Sequence, residues 1–303
     1  MKEKLTSCPV CKNENFSGFL EVKDHFLSGA TFNIVQCDGC GFKFVNPRPD
    51  QNEIGVFYQS AEYISHDTGK ADFFTWLYKR ARSIAIKGKH QLVKKYATGS
   101  RLLDIGCGTG EFLSYCQDQG MEVAGIEPNE KARSFAKSQK GISVEKGFPE
   151  TGVTRHQFDC ITMWHVLEHV HDLHEYMENI RSLLTENGTF IVAVPNSNSW
   201  DAAFYKEFWA AYDVPRHLYH FNKKTMGRLA DQYGFHITAM FPQKMDAYYV
   251  SLLSEKYKTG RSGYFKAAIN GFWSNFVSGS QNRGHSSQIF ILAQKSANFK
   301  ASV

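Results

Sequence analysis

At 303 residues, 42% of them hydrophobic and 21% charged, the chain is long enough for one large and one small domain around a substantial core, which excludes the fibrous and disordered classes. A formal net charge of +5 is too small to require a nucleic-acid partner. No apolar run approaches the roughly 18 residues of a membrane helix and the opening MKEKLTSCPV has no apolar export segment, so a cytoplasmic protein without stable membrane insertion is expected.

Cys8-Pro9-Val10-Cys11 and Cys37-Asp38-Gly39-Cys40 are two Cys-x-x-Cys pairs separated by twenty-five residues. Two residues between cysteines let both sulfurs of a tight knuckle face one ion, and two knuckles complete a tetrahedral four-thiolate shell with no position open to water. The pattern is that of a zinc ribbon over residues 1–48. Its role is structural, because so small a unit has too little core to fold unaided; redox-active pairs are the alternative. Strands are expected in Phe16–Leu27 and Thr31–Val35. The odd total of seven cysteines argues against a secreted disulfide framework, and Cys107, Cys116 and Cys160 read as small buried residues.

Asn46-Pro47-Arg48-Pro49-Asp50 should stop regular structure and open a helical linker over residues 49–98, with a helix pair in Asp72–Tyr96. Tyr58 and Tyr63 either cover a pocket or pack as ordinary aromatics.

From residue 99 to 303 short β-rich runs alternate with amphipathic helices. Strands are expected at Arg101–Ile105, Glu122–Ile126, Ser143–Glu145, Phe158–Met163, Thr189–Val194, Phe235–Phe241 and Gln288–Ala293. Helices are expected at Glu111–Gln119, at Asn129–Gln139, from Asp172 to the Asn187-Gly188 pair, and after Asn222. Such alternation gives an α/β fold, a mostly parallel sheet with helices on both faces. Residues 245–285, between the last two strands, form a helical insertion suited to a lid, a dimer surface or a membrane-surface helix. From Ser251 onward seven basic residues, including Arg283, Lys295 and Lys300, are opposed only by Glu255, giving that tail +6.

Open parallel sheets bind ligands at the carboxyl ends of their strands. Asp104-Ile105-Gly106-Cys107-Gly108-Thr109-Gly110-Glu111 lies at such an end, and its glycines let backbone press against a ligand. Glu111 stands where a dinucleotide site wants its third glycine, and its charge disfavours phosphate. The ligand should instead carry a positive group, with Asp104 attracting an amine and Glu127 holding both hydroxyls of a ribose.

This segment resembles the first motif of class I S-adenosylmethionine-dependent methyltransferases, and Gly125-Ile126-Glu127 resembles their second. Phe158-Asp159-Cys160-Ile161-Thr162-Met163-Trp164-His165-Val166-Leu167-Glu168-His169-Val170 is similar to the family's fourth-strand motif. The cysteine module and Pro215-Arg216-His217-Leu218-Tyr219-His220-Phe221 further resemble a bacterial subgroup with an N-terminal zinc ribbon, some of whose members modify sugars. The resemblance implies a Rossmann-like seven-stranded methyltransferase sheet with S-adenosylmethionine as cofactor. By position, Gly106, Gly108 and Gly110 would contact its methionine portion, Asp104 its ammonium and Glu127 its ribose. The loop Gly147-Phe148-Pro149 would place Phe148 near adenine, and Met163, Trp164 and His165 would line the pocket beside the sulfonium.

Methyl transfer is an in-line displacement that needs alignment and exclusion of water, with a base only for some acceptors. His165, His217 and His220 are the catalytic candidates, each with a structural reading beside it. Trp200, Phe204, Phe208, Trp209 and Tyr212 would form a pocket wall. A small-molecule acceptor, a sugar or another hydroxylated metabolite, is the leading expectation. The alternatives are RNA gripped by the ribbon and basic tail, and a scaffold with a vestigial cofactor pocket.

Overall fold

The computed structural model describes residues 2–58, 73–148, 156–261, 263–280 and 284–294. Tyr63, Asp72, Pro149, Arg283, Lys295 and Lys300, named above, lie outside the described residues.

The N-terminal part holds β1 (Lys2–Glu3), β2 (Phe16–Lys23), β3 (Thr31–Cys37), β4 (Lys43–Val45) and β5 (Arg48–Pro49). Strand β2 stops at Lys23, before the expected Leu27, because the Asp24 carboxylate closes a turn. It accepts from the backbone N–H of Phe26, Leu27 and Ser28 at 3.1, 3.2 and 2.9 Å and from the Ser28 hydroxyl at 2.7 Å. The two prolines do not end regular structure as expected: Arg48–Pro49 pairs antiparallel with Lys2–Glu3. Arg48 anchors this edge, donating to Glu3 at 2.8 Å, to the Tyr219 hydroxyl at 2.7 Å and to the His171 carbonyl at 3.2 Å.

A single helix, α1 (Phe73–Tyr96), occupies the region read as a helix pair. Its interior Gly88 has nothing within 4 Å of a notional Cβ, and no proline interrupts the run, so a continuous helix is allowed. There follow β6 (Arg101–Ile105), α2 (Glu111–Asp118), β7 (Glu122–Ile126), α3 (Glu130–Lys140), β8 (Ser143–Glu145), β9 (Phe158–Trp164), α4 (Leu173–Leu183) and β10 (Leu184–Pro195). Helix α4 ends four residues before Asn187: Leu184 turns to extended backbone (φ −71°, ψ 140°), is fully buried, and pairs with Phe158. Next come α5 (Trp200–Tyr205), β11 (Tyr219–His220), α6 (Lys223–Gln232), β12 (Phe235–Pro242), α7 (Lys244–Thr259), α8 (Tyr264–Ser280) and β13 (Ser287–Gln294). Asn222 caps α6 in a reciprocal box with Thr225, each side chain bonding the other's backbone N–H at 3.0 Å.

The main sheet has seven strands in the order β12-β13-β10-β9-β6-β7-β8. Strands β8, β7, β6, β9 and β10 are mutually parallel, and β13 runs antiparallel between β10 and β12. Connections leave β6 towards β7 on one side and return to β9 on the other, so the strand order reverses at β6. Within the expected 245–285 insertion α7 and α8 form a helical hairpin, with Gly271 of α8 so close to α7 that a Cβ there would meet the Tyr248 Cα at 2.9 Å. Small residues, Ala267 and Ser274, face inward, while Phe265, Phe272 and Phe276 face out.

The four-stranded N-terminal sheet has the order β11-β4-β3-β2 and so includes a strand from residues 219–220. Phe42 lies 5.9 Å from the Tyr219 ring and 5.3 Å from Phe221, and one apolar core runs from Cys8, Phe42 and Phe44 to Met226 and Leu229. Arg216 ties the two parts with charge. It is 2% exposed and donates to Asp24 at 3.0 Å, to Asp213 at 2.6 and 3.0 Å, and to the Phe57 carbonyl at 3.1 Å. Arg216→Ala strands the Asp24 carboxylate, 1% exposed, without its cation. The substitution should cost about 3–5 kcal/mol in urea unfolding, read as a lower midpoint at unchanged slope.

Candidate active site

Strand β6 delivers Asp104 and the glycine turn to the point where strand order reverses. Gly106, Gly108 and Gly110 all have left-handed backbone, φ 75°, 56° and 73°. A Cβ on Gly106 would stand 2.4 Å from Val166 Cγ2, so only glycine fits that bend, whereas Gly108 faces open space. The Gly108 N–H donates to Glu127 Oε2 at 2.8 Å, and the Asn129 N–H donates to Oε1 at 2.8 Å. Glu127 is thereby held across the turn from the end of β7.

Asp104 is 3% exposed and accepts from the Thr162 hydroxyl at 2.6 Å. Burial pushes its carboxyl up to about 7, with the nearby Glu127 charge adding to the rise while Thr162 and the Lys89 ammonium work against it. Lys89 reaches in from α1, its ammonium 4.6 Å from the Trp164 ring and 6.0 Å from Phe112. Burial lowers the Lys89 pKa, and Asp104 and Asp246 oppose the fall. Sequence reading missed Lys89, because nothing in the imperfect periodicity of its helix singles out one lysine of several. Trp164 Nε1 is buried and has no acceptor among the described residues. Phe148 sits edge-on to Tyr176 at 5.0 Å, and Met163 is wholly buried in the core with Ile105 and Ile161.

Two of the three candidate histidines share a neighbour, Glu168 lying beside both His165 and His217. His165, at the end of β9 with φ 58°, sits between acids: Nδ1 is 3.4 Å from Glu168 Oε1 and Nε2 is 3.2 Å from Asp246 Oδ2. Burial alone would lower its pKa, but Asp246 and Glu168 outweigh it and raise the value to about 10, making His165 an imidazolium at neutral pH. His220, in β11, is buried against the Tyr212 ring at 5.1 Å, and burial drives its pKa well below the usual histidine range. His217 donates from Nδ1 to the Ala211 carbonyl at 2.9 Å and lies 4.5 Å, edge to face, from His169. Trp209 and Tyr212, expected in a pocket wall, instead pack in the core with Val22, Phe32 and Ile34, and Trp209 Nε1 donates to Asp201 at 2.9 Å.

The four N-terminal cysteines do converge, their sulfurs all within 4.8 Å of one another. Cys8 and Cys40 Sγ are 3.7 Å apart, and Cys11 and Cys37 Sγ 3.4 Å. Four thiolates around zinc at ~2.3 Å stand about 3.8 Å apart, so the cluster fits that ion with little movement. The Val10 N–H points at Cys8 Sγ at 3.4 Å, as in a metal knuckle.

The profile of a family described as "Methyltransferase domain" matches residues 76–240, more than half of the chain, and the chain belongs to that family. The ubiquinone biosynthesis O-methyltransferase of Bradyrhizobium diazoefficiens is 29% identical over 132 residues, 41% of this chain and 52% of that protein. That of Rhizobium etli is 29% identical over 188 residues, 56% of this chain and 72% of that protein. The chain spans about half the length of the first of these curated relatives. The magnesium protoporphyrin IX methyltransferase of Synechocystis PCC 6803, with bound S-adenosylhomocysteine, shares the fold. Its TM-score is 0.52 at 12% identity, over 81% of this chain and 100% of that one. The methyltransferase domain is joined to an N-terminal four-cysteine cluster consistent with a zinc ribbon. Among the described residues no helix is long and apolar enough to cross a membrane.

Proposed function

We propose that the protein transfers the methyl group of S-adenosylmethionine to a hydroxyl of a small molecule, and that the four cysteines hold a structural zinc. The observation that carries the first part is a trap for positive charge beside bare backbone. The Lys89 ammonium lies 4.6 Å from the Trp164 ring and feels the charges of Asp104, which ends the strand carrying the glycine turn, and of Asp246, and a cationic cofactor group would find the same acids and ring. When bound there, S-adenosylmethionine supplies an electrophilic methyl on a sulfonium. Gly106, Gly108 and Gly110 would admit its methionine portion, Asp104 would orient its ammonium, and Glu127, already placed to accept hydrogen bonds, would turn to its ribose. Phe148 would pack on adenine, and Trp164 would offer its unpaired Nε1–H. Met163 would act from beneath as packing.

The chemistry asks the protein mainly to align acceptor, methyl and sulfur and to exclude water. His165 as an imidazolium has no lone pair to give, so its part would be to hold Asp246 and Glu168 in place. His220 is sealed beneath Tyr212, and its low pKa makes it a weak base. His217 keeps Nε2 3.9 Å from Asp213, beyond hydrogen-bond reach, beside Glu168 and His169. A hydroxylated acceptor is favoured because the curated relatives are named O-methyltransferases.

The test is incubation of the full-length protein with methyl-labelled S-adenosylmethionine and fractionated cell extract. Label should enter the small-molecule fraction in an alkali-stable ether. Label confined to RNA or protein, or no transfer in any fraction while S-adenosylhomocysteine binds, would overturn the proposal.

A further inference from the structure

We propose that Glu168, His169 and His217 form a binding site for a divalent first-row transition ion, separate from the four-cysteine cluster. One ligand atom from each of the three side chains lies within 4.8 Å of the other two. Glu168 is 0% exposed, and beyond the contact with His165 its carboxylate oxygens meet no hydrogen-bond donor among the described residues. Its one cationic neighbour at contact distance among the described ion pairs is His165, 3.4 Å from Oε1. A buried carboxylate with an oxygen left bare is costly unless a cation or donor completes it.

Backbone carbonyls fix the tautomers of the two imidazoles. The His217 Nδ1 lies 2.9 Å from the Ala211 carbonyl and the His169 Nδ1 lies 3.0 Å from the Arg216 carbonyl, with the Tyr58 hydroxyl 2.9 Å from the same nitrogen. A carbonyl oxygen can only accept, so each Nδ1 carries the proton and each Nε2 carries the lone pair. A backbone carbonyl on Nδ1 that leaves Nε2 free is the arrangement metal-ligating histidines adopt.

The backbone positions are fixed without an ion: the Glu168 carbonyl accepts from the Leu218 N–H at 2.8 Å and from the Tyr219 N–H at 3.3 Å, clamping the turn after β9 to the 216–220 segment. A metal at about 2.1 Å from each donor sets them about 3–3.4 Å apart, a closure that small side-chain rotations supply. Two imidazoles and one carboxylate suit manganese through zinc, and three protein ligands leave coordination positions open. Asp213 Oδ2, 3.9 Å from His217 Nε2, is held by Arg216 and remains outside the set.

Cobalt(II) separates this site from the cysteines, because thiolate ligation gives intense near-ultraviolet charge-transfer bands and nitrogen–oxygen ligation gives only weak visible ones. Full-length protein stripped of metal and titrated with cobalt alone should take up two ions per chain, the second adding visible bands without thiolate character. In His217→Asn and in Glu168→Gln the second uptake should vanish while the thiolate bands and the far-ultraviolet circular dichroism persist. A single ion per chain with thiolate bands only, or a second uptake unchanged in folded His217→Asn, would overturn the proposal. Should Glu168→Gln fail to fold, His217→Asn decides alone, since its side chain is 12% exposed and the Glu168 carboxylate keeps His165 beside it.

Discussion

Asp104→Asn should weaken S-adenosylmethionine binding about 10- to 100-fold at pH 8, the loss expected when a buried carboxylate that faces a cation becomes a neutral amide. The effect should shrink as pH falls, because burial holds the native carboxyl near 7 and the wild-type site loses its own charge below that value. Titration calorimetry of the wild type should therefore show affinity rising from about pH 6 to about pH 8, and the variant should show a flat profile over the same window. Stability should move the opposite way. A carboxyl whose folded pKa lies above its unfolded value contributes fully below the unfolded value and loses that contribution as pH rises through the folded one. Asp104 thus strains the ligand-free fold above about 7, and Asn at this position should raise the unfolding free energy at pH 8 by an amount on the order of 1–3 kcal/mol, read as a higher urea midpoint at unchanged slope, once the lost attraction to Lys89 is set against it. Weaker binding together with a more stable ligand-free protein is a signature that simple damage to the core cannot produce. Loss of both stability and affinity would show that Asp104 serves the strand and not the ligand.

What could be read from the residues depended on how far the deciding interaction lies along the chain. Strands β6, β7 and β8 begin and end at the expected residues, because apolar runs and the glycine turns that punctuate them are local signals. The Asn129 and Asn222 caps are equally local, each side chain meeting a backbone N–H three residues on. The pairing of β11 with β4 joins residues 43–44 to 219–220, and no periodicity in a two-residue strand announces it. Arg48 was read as part of a break because its partners, Tyr219 and His171, are distant in sequence and invisible to turn chemistry. Lys89 and the Glu168, His169 and His217 group escape for the same reason: each is assembled by tertiary packing around the end of β9. Trp209 and Tyr212 were misplaced in a pocket because an aromatic-rich loop reads alike whether it lines a cleft or fills the space between two sheets.

The shared sheet makes the cysteine cluster matter beyond its own fold. Strand β4 lies between β3, which ends at Cys37, and β11, and the Val45 N–H donates to the Leu218 carbonyl at 2.9 Å. The cysteine knuckles thus pin a strand whose other edge holds residues 218–220. Replacing Cys8 and Cys40 by Ser removes half of the proposed thiolate shell, and a unit of this size with a four-ligand site depends on the metal for its folding free energy. The thermal midpoint of the double variant should fall by about 10 °C or more, since each kcal/mol lost moves a domain of this size by about 2–4 °C. Turnover should fall at least about tenfold, because Tyr219 and Phe221 lose the Phe42 ring they stack on and the segment carrying His217 loses its sheet neighbour. The proposed cofactor cleft rests on β6, β7 and β9, none of which pairs with the small sheet, so affinity for S-adenosylhomocysteine should change less than about threefold. That split, turnover lost and cofactor binding kept, is what a metal acting as a brace for the 213–221 segment requires, and equal loss of both would instead mean that the two sheets unfold as one cooperative unit.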